Sequence, residues 1–517
     1  MLATTATAND RVVRDVADQL GLGEQGTLVL RGALDRESLR LAVVTLPTAQ
    51  ARLAWLAQRL GELPGSGIIY TLTVAAAHEV ASFLKAHGFT VAPYTGRTDP
   101  TAREHAEQDL LANRVKALVA TSALGMGFDK PDLGFVIHLG APPSPIAYYQ
   151  QIGRAGRAVE RADVLLLPGT EDRDIWAYFG SLAFPAERVV RQVLTVLAET
   201  DKPRSVPALE PSVGLSRSRL EMVLKVLDVD GAVRRVRGGW VATGAPWQYD
   251  EERYRHIAAA RKAEQQAVLD YQRTTGCRME FLLQQLDDPH AAPCGRCDNC
   301  TGQRWSTEVS GDALSAAGER LRRPGADLES RHVWPSGMRT LGVPLSGKLT
   351  ADESAASGRV VGRLTDIGWG NRLRELFSST EDGPMPDDLF DACVKVLAAW
   401  KWEQRPVGVV TIGSSRRPRL VASLGERIAG IGRLPLLGQL TSEPDGEPRL
   451  NSAQRLAQLW QTLRIGPDLP ARLSEVDGPV LLVDDRVDTG WTMTLAAKLL
   501  RDAGAPAVLP FALALTA

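Results

Sequence analysis

Short apolar runs alternate with stretches of helical apolar spacing between residues 52 and 168. The runs, at residues 67–72, 90–94, 115–120, 135–139 and 164–167, predict strands. The stretches at residues 75–87 and 100–113 predict helices, and Gly88 ends the first of them. Because strands that alternate with helices form a mainly parallel sheet with both faces covered, this segment predicts an α/β domain. Ligands of such a sheet gather beyond the carboxyl ends of its strands.

The pattern changes between residues 185 and 244. Residues 189–197 have helical apolar spacing, Ser216 is placed to cap a helix, and residues 233–242 predict a two-stranded hairpin with a Gly-Gly turn. Three helices followed by a basic hairpin are typical of a winged helix. The alternative is a winged-helix spacer whose arginines are solvated. The candidate contacts to DNA phosphates are Arg217, Arg219, Arg234, Arg235 and Arg237.

A third pattern lies near the end of the chain. An apolar strand at residues 479–483 ends in the acidic pair Asp484 and Asp485, and a turn at Thr489 and Gly490 then opens a helix. The backbone N–H groups of such a turn and helix form an anion site, and two carboxylates before it can hold a sugar diol. Upstream, a predicted strand at residues 407–412 is followed by a Gly-Ser-Ser-Arg-Arg-Pro loop at residues 413–418.

The length of 517 residues predicts three or four domains, since single cores rarely grow past about 250–300 residues. The formal net charge is −1 at pH 7, so any nucleic-acid surface must be a local patch. No apolar run approaches the roughly 20 residues that span a bilayer, and no secretory signal opens the chain. Five cysteines in a chain of this length favour a reducing compartment, so we expect a cytoplasmic protein, nucleoid-associated if bacterial.

Four of the five cysteines cluster with the spacing of metal ligands. Cys277 is followed after 16 residues by Cys294, and Cys297 and Cys300 each follow after two more. Four thiolates suit a tetrahedral Zn²⁺, and because they fill all four positions the zinc is expected to be structural. An iron–sulfur cluster is the alternative. Cys393 stands alone in an apolar helical run and is expected in a core.

Two blocks carry the most specific signal in the chain. Residues 150–157 read Gln-Gln-Ile-Gly-Arg-Ala-Gly-Arg, and residues 120–131 read Ala-Thr-Ser-Ala-Leu-Gly-Met-Gly-Phe-Asp-Lys-Pro. The first resembles the last helicase motif of superfamily 2, and the second resembles the preceding motif in the form used by RecQ-like DNA helicases. The resemblance implies the second RecA-like lobe of an ATP-driven motor. Taken without the resemblance, the Gly-Arg pattern also fits a pair of solvated arginines.

The resemblance implies roles for individual residues. Guanidinium groups suit a phosphate whose charge grows in a transition state, and an arginine finger contributes roughly 10³–10⁵ in rate. ATP and Mg²⁺ are therefore the expected cofactors of the full-length protein. Seven residues receive roles in this way: Gly127 and Asp129 near ATP, Gln150, Arg154 and Arg157 facing its phosphates as the catalytic groups, and Thr121 and Arg97 near DNA.

The start of the chain resembles the end of the first RecA-like lobe. Residues 4–8 resemble its coupling motif, and residues 30–40 resemble the lead-in to the second lobe. Nearly all of the first lobe, with its phosphate loop, is then missing. The pattern at Gly342, Gly347 and Lys348 does not replace that loop, because Leu349 stands where a Mg²⁺-binding hydroxyl is needed. We expect that the chain alone does not hydrolyse ATP and that the missing lobe is a partner.

The cysteine cluster resembles the zinc module of RecQ helicases. In typical RecQ proteins that module comes before the winged helix, whereas here the winged-helix candidate comes first. The strand-separating role known in the family is therefore not carried over to this hairpin.

Residues from about 392 to 517 resemble a type I phosphoribosyltransferase. The resemblance implies that Asp484 and Asp485 contact ribose hydroxyls and that the loop at residues 413–418 is the pyrophosphate loop. Arg486 stands where a small or apolar residue is usual. Three outcomes stay open: the domain binds a ligand such as phosphoribosyl pyrophosphate, transfers its phosphoribosyl group, or keeps the fold alone. The further candidate contacts are Asp488, Thr489, Gly490, Thr492, Arg416 and Arg417.

Together these patterns predict an α/β multidomain protein with a RecA-like parallel-sheet lobe, a winged helix, a small zinc module and a phosphoribosyltransferase-like α/β domain. The interpretation is the C-terminal portion of an ATP-dependent 3′-to-5′ RecQ-like DNA helicase of repair or recombination. Its expected partner is DNA with a single-stranded 3′ tail, and no membrane is expected. The alternatives are a DNA-binding sensor of a phosphoribosyl compound and a phosphoribosyltransferase tethered to DNA. The expected domains are a remnant of the first lobe at 1–25, the second lobe at 26–184, the winged helix at 185–247, the zinc module at 248–304, a linker and small module of unknown role at 305–390, and the phosphoribosyltransferase-like domain at 391–517.

Overall fold

The computed structural model describes residues 3, 9–20, 27–30, 32–125, 128–180, 184–442 and 451–516. The chain forms two compact units, the first from Met1–Ser181 and Glu251–Arg322 and the second from Leu182–Asp250 and Arg323–Ala517. The expected coupling motif at residues 4–8 and the expected ATP contact Gly127 lie outside the described residues. No helix in the described ranges combines the length and apolar character that a bilayer span requires.

The first stretch of the first unit alternates strands and helices as predicted. Capping side chains fix several helix starts: the hydroxyl of Thr73 accepts from Ala76 N, and that of Ser144 accepts from Ile146 N and Ala147 N. The elements are α1 (Asp10–Leu20), β1 (Leu39–Val43), α2 (Ala49–Arg59), β2 (Gly67–Thr71), α3 (Val74–Ala86), β3 (Val91–Tyr94), α4 (Pro100–Leu111), β4 (Ala117–Ala120), β5 (Phe135–Leu139), α5 (Pro145–Ile152), β6 (Ala162–Leu167) and α6 (Asp172–Gly180).

The six strands form one parallel sheet in the order β1-β6-β5-β2-β4-β3. Strands β2, β4, β5 and β6 are buried along their whole length, which explains their continuous apolar runs. The sheet confirms the predicted strands and adds β1, which the apolar runs did not predict. All carboxyl ends lie along one edge, because the strands are parallel.

The second stretch contains α7 (Glu187–Ala198), α8 (Val206–Leu209), α9 (Arg217–Val229), β7 (Val233–Val236) and β8 (Gly239–Ala242). The two strands pair antiparallel, so the predicted hairpin is confirmed. A Cβ on Gly239 would lie 2.2 Å from Arg204 O, so only glycine fits at this turn. Ser216 is the N-cap of α9 as predicted, but its side chain makes no capping hydrogen bond.

The third stretch returns to the first unit and is helical. It contains α10 (Glu251–Arg273), α11 (Arg278–Gln285), α12 (Asp298–Thr301) and α13 (Gly311–Leu321). Side chains of α10 and α11, among them Val268, Tyr271 and Met279, share one apolar core with α5 and the first sheet. Helix α13 is held to α2 by Gln50, whose Nε2 donates to Leu314 O at 2.6 Å.

The last stretch forms a second, seven-stranded sheet in the order β13-β12-β11-β14-β15-β10-β9, parallel except for its two edge strands. Its elements are β9 (Ala326–Leu328), β10 (Gly358–Arg363), α14 (Gly370–Ser378), α15 (Asp387–Ala399), β11 (Gly408–Ile412), α16 (Pro418–Gly432), β12 (Leu436–Ser442), α17 (Ser452–Thr462), β13 (Leu463–Ile465), α18 (Leu469–Ser474), β14 (Val480–Val487), α19 (Trp491–Asp502) and β15 (Val508–Leu515).

The structure differs from the sequence interpretation in two places here. Strands β9 and β10, from the segment expected to be a linker and small module, belong to this sheet, and α15 crosses the expected boundary between residues 390 and 391. Strand β14 also continues past its acidic pair to Val487, because residues there pair with Ala512, Ala514 and Leu515 of β15. The acidic pair does not end the strand, because the hydrogen bonds between β14 and β15 are made by backbone groups and not by side chains.

The side chain of Asp172, at the start of α6, links the ends of β5 and β6. Its Oδ2 accepts hydrogen bonds from Ala141 N at 2.8 Å and Gly169 N at 2.9 Å. Burial raises the pKa of Asp172 to about 7, although the two backbone hydrogen bonds act to lower it. The folded state therefore disfavours the ionised carboxylate.

We predict that Asp172→Asn removes a pH-dependent loss of stability. Because the pKa rises from 3.8 to about 7 on folding, Asp172 contributes stability that is present at low pH and lost as pH rises between these values, at about 1.4 kcal/mol per pKa unit. The urea midpoint of the variant should rise relative to that of the wild type between pH 4 and pH 7. Above pH 7 the difference between the two midpoints should stay constant. Asp174→Asn, at an exposed position on the same helix, is the control. A difference that does not vary with pH would contradict the prediction.

Candidate functional site

The Gly-Arg loop follows α5 at the start of its path to β6. Gly156 has φ of +72°, and a Cβ there would lie 2.3 Å from Ser38 Oγ. Ser38 Oγ instead donates to Gly156 O at 2.6 Å, and Gly156 N donates to Leu133 O at 3.2 Å. The second glycine of the motif is therefore required by the packing of the loop, and it sets the direction in which the flanking arginines leave the backbone.

Arg154 is half-buried and bound to its own domain. Its Nη1 donates to Phe128 O at 3.1 Å. Its guanidinium also lies against the hydroxyl of Tyr70, and acts to lower the pKa of that hydroxyl, which burial raises to about 12. Among the described residues, neither Tyr70 Oη nor Arg154 Nε has a conventional hydrogen bond to any other group. Arg154 is thus positioned by β2 and the loop after β4.

Arg157 is exposed and differs from Arg154 in its surroundings. Its Nη1 lies 2.8 Å from Asp129 Oδ1, and the two side chains are 39% and 55% exposed. The arginine also borders an open cleft of about 730 Å³ that Arg36, Arg40 and Glu160 help to line. An exposed ion pair of this kind contributes about 0–1 kcal/mol, so Arg157 can leave Asp129 for a phosphate at little cost. Gln150, near the end of α5, is also exposed.

The two expected DNA contacts lie at the carboxyl edge of the sheet. Thr121 follows β4, is buried, and donates its backbone N–H to Tyr94 O at 3.1 Å. Arg97 is exposed in the loop after β3, where Thr95 and Thr98 bond to each other at 3.0 Å. Buried Thr95 therefore shapes this loop. Arg97 presents a charge at the edge, whereas the side chain of Thr121 accepts from Ala123 N at 3.4 Å.

A row of buried aromatic rings leads from Arg154 to the cysteine cluster. Tyr70 stacks on His138 with centroids 5.1 Å apart, His138 lies 4.8 Å from Tyr148, and Tyr148 lies 5.3 Å from Tyr271. His138 Nε2 is also 2.7 Å from Gln151 Oε1 on α5. Burial lowers the pKa of His138 to about 4, so the ring is neutral at pH 7. None of these residues was singled out from the sequence; a tyrosine inside a strand run was the available signal for Tyr70.

The four predicted metal ligands come together. The sulfur atoms of Cys277, Cys294, Cys297 and Cys300 all lie within 4.8 Å of one another. Tetrahedral zinc with Zn–S bonds of about 2.3 Å needs sulfur atoms at such spacing. Backbone N–H groups also point at the sulfurs: Cys294 N lies 3.1 Å from Cys277 Sγ, and Arg278 N lies 3.4 Å from Cys297 Sγ. Such donors stabilise thiolates, so the site fits a structural Zn²⁺.

The residues that follow Cys277 and Cys297 form a buried ion pair. Arg278 Nε lies 2.5 Å from Asp298 Oδ1, and both side chains are at most 4% exposed. Asp298 Oδ2 accepts from Val43 N of β1 at 3.1 Å, and Arg278 Nη1 donates to Tyr271 O at 3.0 Å. The pair therefore connects the cysteine module to both the first sheet and α10. Cys393 lies apart from the cluster, fully buried in the core of the second unit as expected.

The candidate DNA-binding arginines of the second unit lie on its hairpin and on the first turn of α9. Arg234, Arg235 and Arg237 are exposed on or beside β7. Arg217 is exposed and pairs with Glu221 at 3.4 Å, whereas Arg219 is half-buried. Arg234 and Arg235 are consecutive on β7 and therefore point to opposite faces of the hairpin, and Arg237 lies in its turn.

The acidic pair of β14 lies beside the loop that follows β11. Strands β11 and β14 are neighbours in the sheet. The chain continues from β11 to β12 and from β14 to β15, which lie in opposite directions along the strand order. Such a reversal opens a ligand crevice at the strand ends. Ser414 Oγ donates to Asp485 Oδ2 at 3.1 Å, so the two predicted ligand loops meet. Burial, and then the charge of Asp485, raise the pKa of Asp484 well above its ordinary value.

The other predicted phosphoribosyl contacts differ in their exposure and in the hydrogen bonds that hold them. Asp488 is exposed, Thr489 and Thr492 are half-buried, and Gly490 has φ of +81° as the N-cap of α19. Arg416 is exposed, whereas Arg417 donates to three backbone carbonyls of another segment. No sequence motif pointed to Arg331, whose Nε donates to Thr489 O at 3.0 Å.

Two parts of the chain match known protein families. Residues 52–159 match the helicase conserved C-terminal domain, and residues 247–301 match the RecQ zinc-binding family. The first match contains the Gly-Arg loop, and the second contains all four clustered cysteines. Residues 52–159 are therefore similar to a helicase C-terminal domain, and residues 247–301 are similar to a RecQ zinc-binding module.

Curated relatives agree with these matches. The chain is 30% identical over 317 residues to the ATP-dependent DNA helicase RecQ of Synechocystis sp., covering 58% of this chain and 62% of the relative. It is 33% identical over 175 residues to the ATP-dependent DNA helicase Q1 of Mus musculus, covering 33% of this chain and 27% of the relative. A solved DEAD box protein from Methanococcus jannaschii aligns over 28% of this chain and 39% of its own, at 23% identity and a TM-score of 0.25. The chain spans less than two thirds of the length of each of the three.

We predict that the purified chain contains one Zn²⁺ held by the four clustered cysteines. Cys297→Ser should lose most of the metal, because its sulfur is buried among the other three, whereas Cys393→Ser should keep it. Inductively coupled plasma mass spectrometry on both variants measures the molar ratio of zinc to protein. A brown protein with visible iron–sulfur absorption, or equal zinc in both variants, would contradict the assignment.

Proposed function

We propose that this chain, which carries a helicase C-terminal domain and a RecQ zinc-binding module, is the second motor lobe and C-terminal part of an ATP-dependent RecQ-like DNA helicase. The observation that carries the proposal is the exposed Arg157, which forms an ion pair with Asp129 and borders an open cleft. An arginine that a first lobe is to use must be reachable from outside its own domain. The helicase family match over the same residues supports this reading.

In this proposal ATP and Mg²⁺ are presented by a lobe with a phosphate loop, and this chain supplies the cation that meets the phosphates. Arg157 exchanges Asp129 for the γ-phosphate and stabilises the charge that develops as the bond to the leaving group breaks. Arg154 does not exchange partners, because Phe128 O and the Tyr70 hydroxyl hold it. Its role is to keep the loop in the shape that aims Arg157. Gln150, exposed on the preceding helix, is placed on the same side of the motif.

DNA is the proposed partner of the whole protein, with a single-stranded 3′ tail as the proposed substrate in repair or recombination. The zinc module supplies no chemistry here: four filled positions leave none for a substrate. The motor lobe would track the DNA backbone through its carboxyl edge, where Arg97 is exposed. The α7–β8 segment contains three helices and a basic hairpin, and we propose that it is a winged helix whose hairpin adds phosphate contacts. With this role we propose a cytoplasmic location, associated with the nucleoid if the protein is bacterial.

A second candidate function is favoured by the crevice of the second sheet. Two loops that resemble those of phosphoribosyltransferases flank the strand-order reversal and are joined by the Ser414–Asp485 hydrogen bond. A phosphoribosyl ligand with Mg²⁺ would place hydroxyls or a cation against Asp484, whose burial otherwise disfavours its charge. Calorimetric titration with phosphoribosyl pyrophosphate and Mg²⁺ distinguishes the alternatives. Binding without turnover favours a sensor, and turnover with a nucleobase favours a transferase.

We predict that Arg157→Ala, in a protein extended by the phosphate-loop lobe, lowers the ATP hydrolysis rate by roughly 10³–10⁵ while ATP affinity stays nearly unchanged. The matched control is Arg161→Ala, which removes an exposed arginine paired with Asp163. Steady-state hydrolysis and fluorescent-nucleotide binding measure the two quantities. Arg154→Ala should lower the melting temperature as well as the rate, because it leaves Phe128 O and Tyr70 without their partner. Undiminished turnover in Arg157→Ala would refute its proposed role.

We predict that Arg234→Ala combined with Arg235→Ala weakens DNA binding by the present chain. Each lost phosphate contact should reduce the slope of log affinity against log salt by about 0.7 for single strands or 0.9 for duplex. Fluorescence anisotropy with labelled DNA at several salt concentrations measures the slope. Arg191→Ala, on α7 and paired with Glu187, is the control and should leave the slope unchanged. An unchanged slope in the double variant would mean that the hairpin is a spacer.

A further inference from the structure

The end of α14 lies against the loop that follows β11. Arg417, from that loop, donates through Nη2 to Leu376 O at 3.3 Å, Phe377 O at 2.9 Å and Ser379 O at 2.9 Å. The carbonyls of Leu376 and Phe377 belong to the last turn of α14, where backbone acceptors have no intrahelical partner and the helix dipole is negative, and Ser379 directly follows the helix. The guanidinium that the sequence assigns to a ligand's pyrophosphate is therefore already occupied by backbone oxygens.

The ring of Phe377 lies between the two candidate ligand loops. The Arg417 guanidinium is 5.2 Å from the ring centroid, and the Arg486 guanidinium of β14 is 5.6 Å from it. Arg417 lies in the loop after β11, and Arg486 lies on β14, the strand next to β11. One aromatic side chain thus contacts a cation from each of them. The unusual arginine at position 486 acquires a partner within the chain.

A carboxylate from the same segment covers the start of α16. Asp382 Oδ2 accepts from Arg419 N at 2.8 Å, and its Oδ1 accepts from Leu420 N at 3.2 Å. Free N–H groups at a helix N-terminus are donors for a phosphate. Asp382 offers them an anion from within the chain, only a few residues after the carbonyls that hold Arg417.

Each of these contacts, taken alone, is an ordinary helix cap. Their convergence is not accounted for by capping. Residues 376–382 contact the Arg417 guanidinium in the loop after β11, two backbone N–H groups at the start of α16, and the Arg486 guanidinium on β14. The loop after β11 and β14 are also joined by the Ser414–Asp485 hydrogen bond. Carbonyl oxygens, a carboxylate and an aromatic face are the groups that a pyrophosphate and a ribose would replace.

We propose that residues 376–382 occupy the anion-binding groups of this crevice from within, so that a phosphorylated ligand binds only after the segment moves. This inference rests on the second candidate function above. The ligand's measured affinity is reduced by the fraction of molecules in which the segment has moved. Substitutions that weaken the segment's contacts therefore raise affinity, which is the opposite of what they do at a binding residue.

The test compares the 517-residue chain with Phe377→Ala combined with Asp382→Asn. Isothermal titration with inorganic pyrophosphate and Mg²⁺, and then with phosphoribosyl pyrophosphate and Mg²⁺, measures affinity. The double variant should bind on the order of tenfold more tightly or better, since two sets of charge-assisted contacts no longer compete. Asp387→Asn, whose side chain is 92% exposed on α15, is the matched control and should bind as the wild type does.

A second measurement separates failure of the inference from failure of the site. Phenylglyoxal modifies accessible arginines, and mass spectrometry of digests reports the extent of modification at Arg417. The reactivity of Arg417 should rise in the double variant and stay low in the wild type and in Asp387→Asn. Equal affinity, or equal Arg417 reactivity, in wild type and double variant would overturn the inference and leave the site standing. A reactive Arg417 with no binding of either probe would overturn both.

If the double variant does not fold, Phe377→Leu provides the same comparison. Leucine keeps the apolar volume at this half-buried position but removes the aromatic face that both arginines contact. It should increase affinity and Arg417 reactivity by a smaller factor than the double variant is expected to. Circular dichroism confirms that each variant retains its helices before the titrations are compared.

Discussion

The buried pair of Arg278 and Asp298 is the interaction on which the first unit depends. It lies immediately behind the cysteines, accepts a backbone N–H from β1 through Asp298, and donates to the end of α10 through Arg278. Removing one member of such a pair leaves a buried charge and costs about 3–5 kcal/mol. Because Arg278 N also points at Cys297 Sγ, metal binding and the packing of the sheet are physically connected.

This connection reaches the Gly-Arg loop through α5. The helix lies between the first sheet and helices α10 and α11 in a single apolar core, and its Tyr148 contacts both His138 and Tyr271. The zinc module therefore supports the helix that leads into the Gly-Arg loop. The contacts that do so are between aromatic side chains and not between charged groups. A zinc ion held by the four cysteines would therefore act on the Gly-Arg loop only indirectly, through the side chains that pack against α5.

The two arginines of one short motif receive different roles from their surroundings. Arg154 is held by a carbonyl and a tyrosine hydroxyl, whereas Arg157 is exposed with one acidic partner. In the second unit, Arg416 is likewise exposed, whereas Arg417 is held by backbone carbonyls. The α7–β8 segment is also fixed to the second sheet's domain: Asn451 Nδ2 donates to Val213 O at 2.7 Å and Gln454 Nε2 to Pro211 O at 3.1 Å. Any DNA contact by the hairpin is then made from a surface anchored to the crevice's domain.

The sequence by itself determined the elements whose signals are local. Apolar runs predicted five of the six strands of the first sheet, the Gly-Gly turn predicted the hairpin, and cysteine spacing predicted a cluster that the structure brings within 4.8 Å. What only the tertiary structure decided is which groups remain available. Nothing near Arg417 in the chain indicates that carbonyls 38 to 41 residues away hold its guanidinium, and nothing near Tyr70 indicates Arg154. The physical reason is that hydrogen bonds and burial of a side chain depend on neighbours in space, whereas periodicity and spacing record neighbours in sequence.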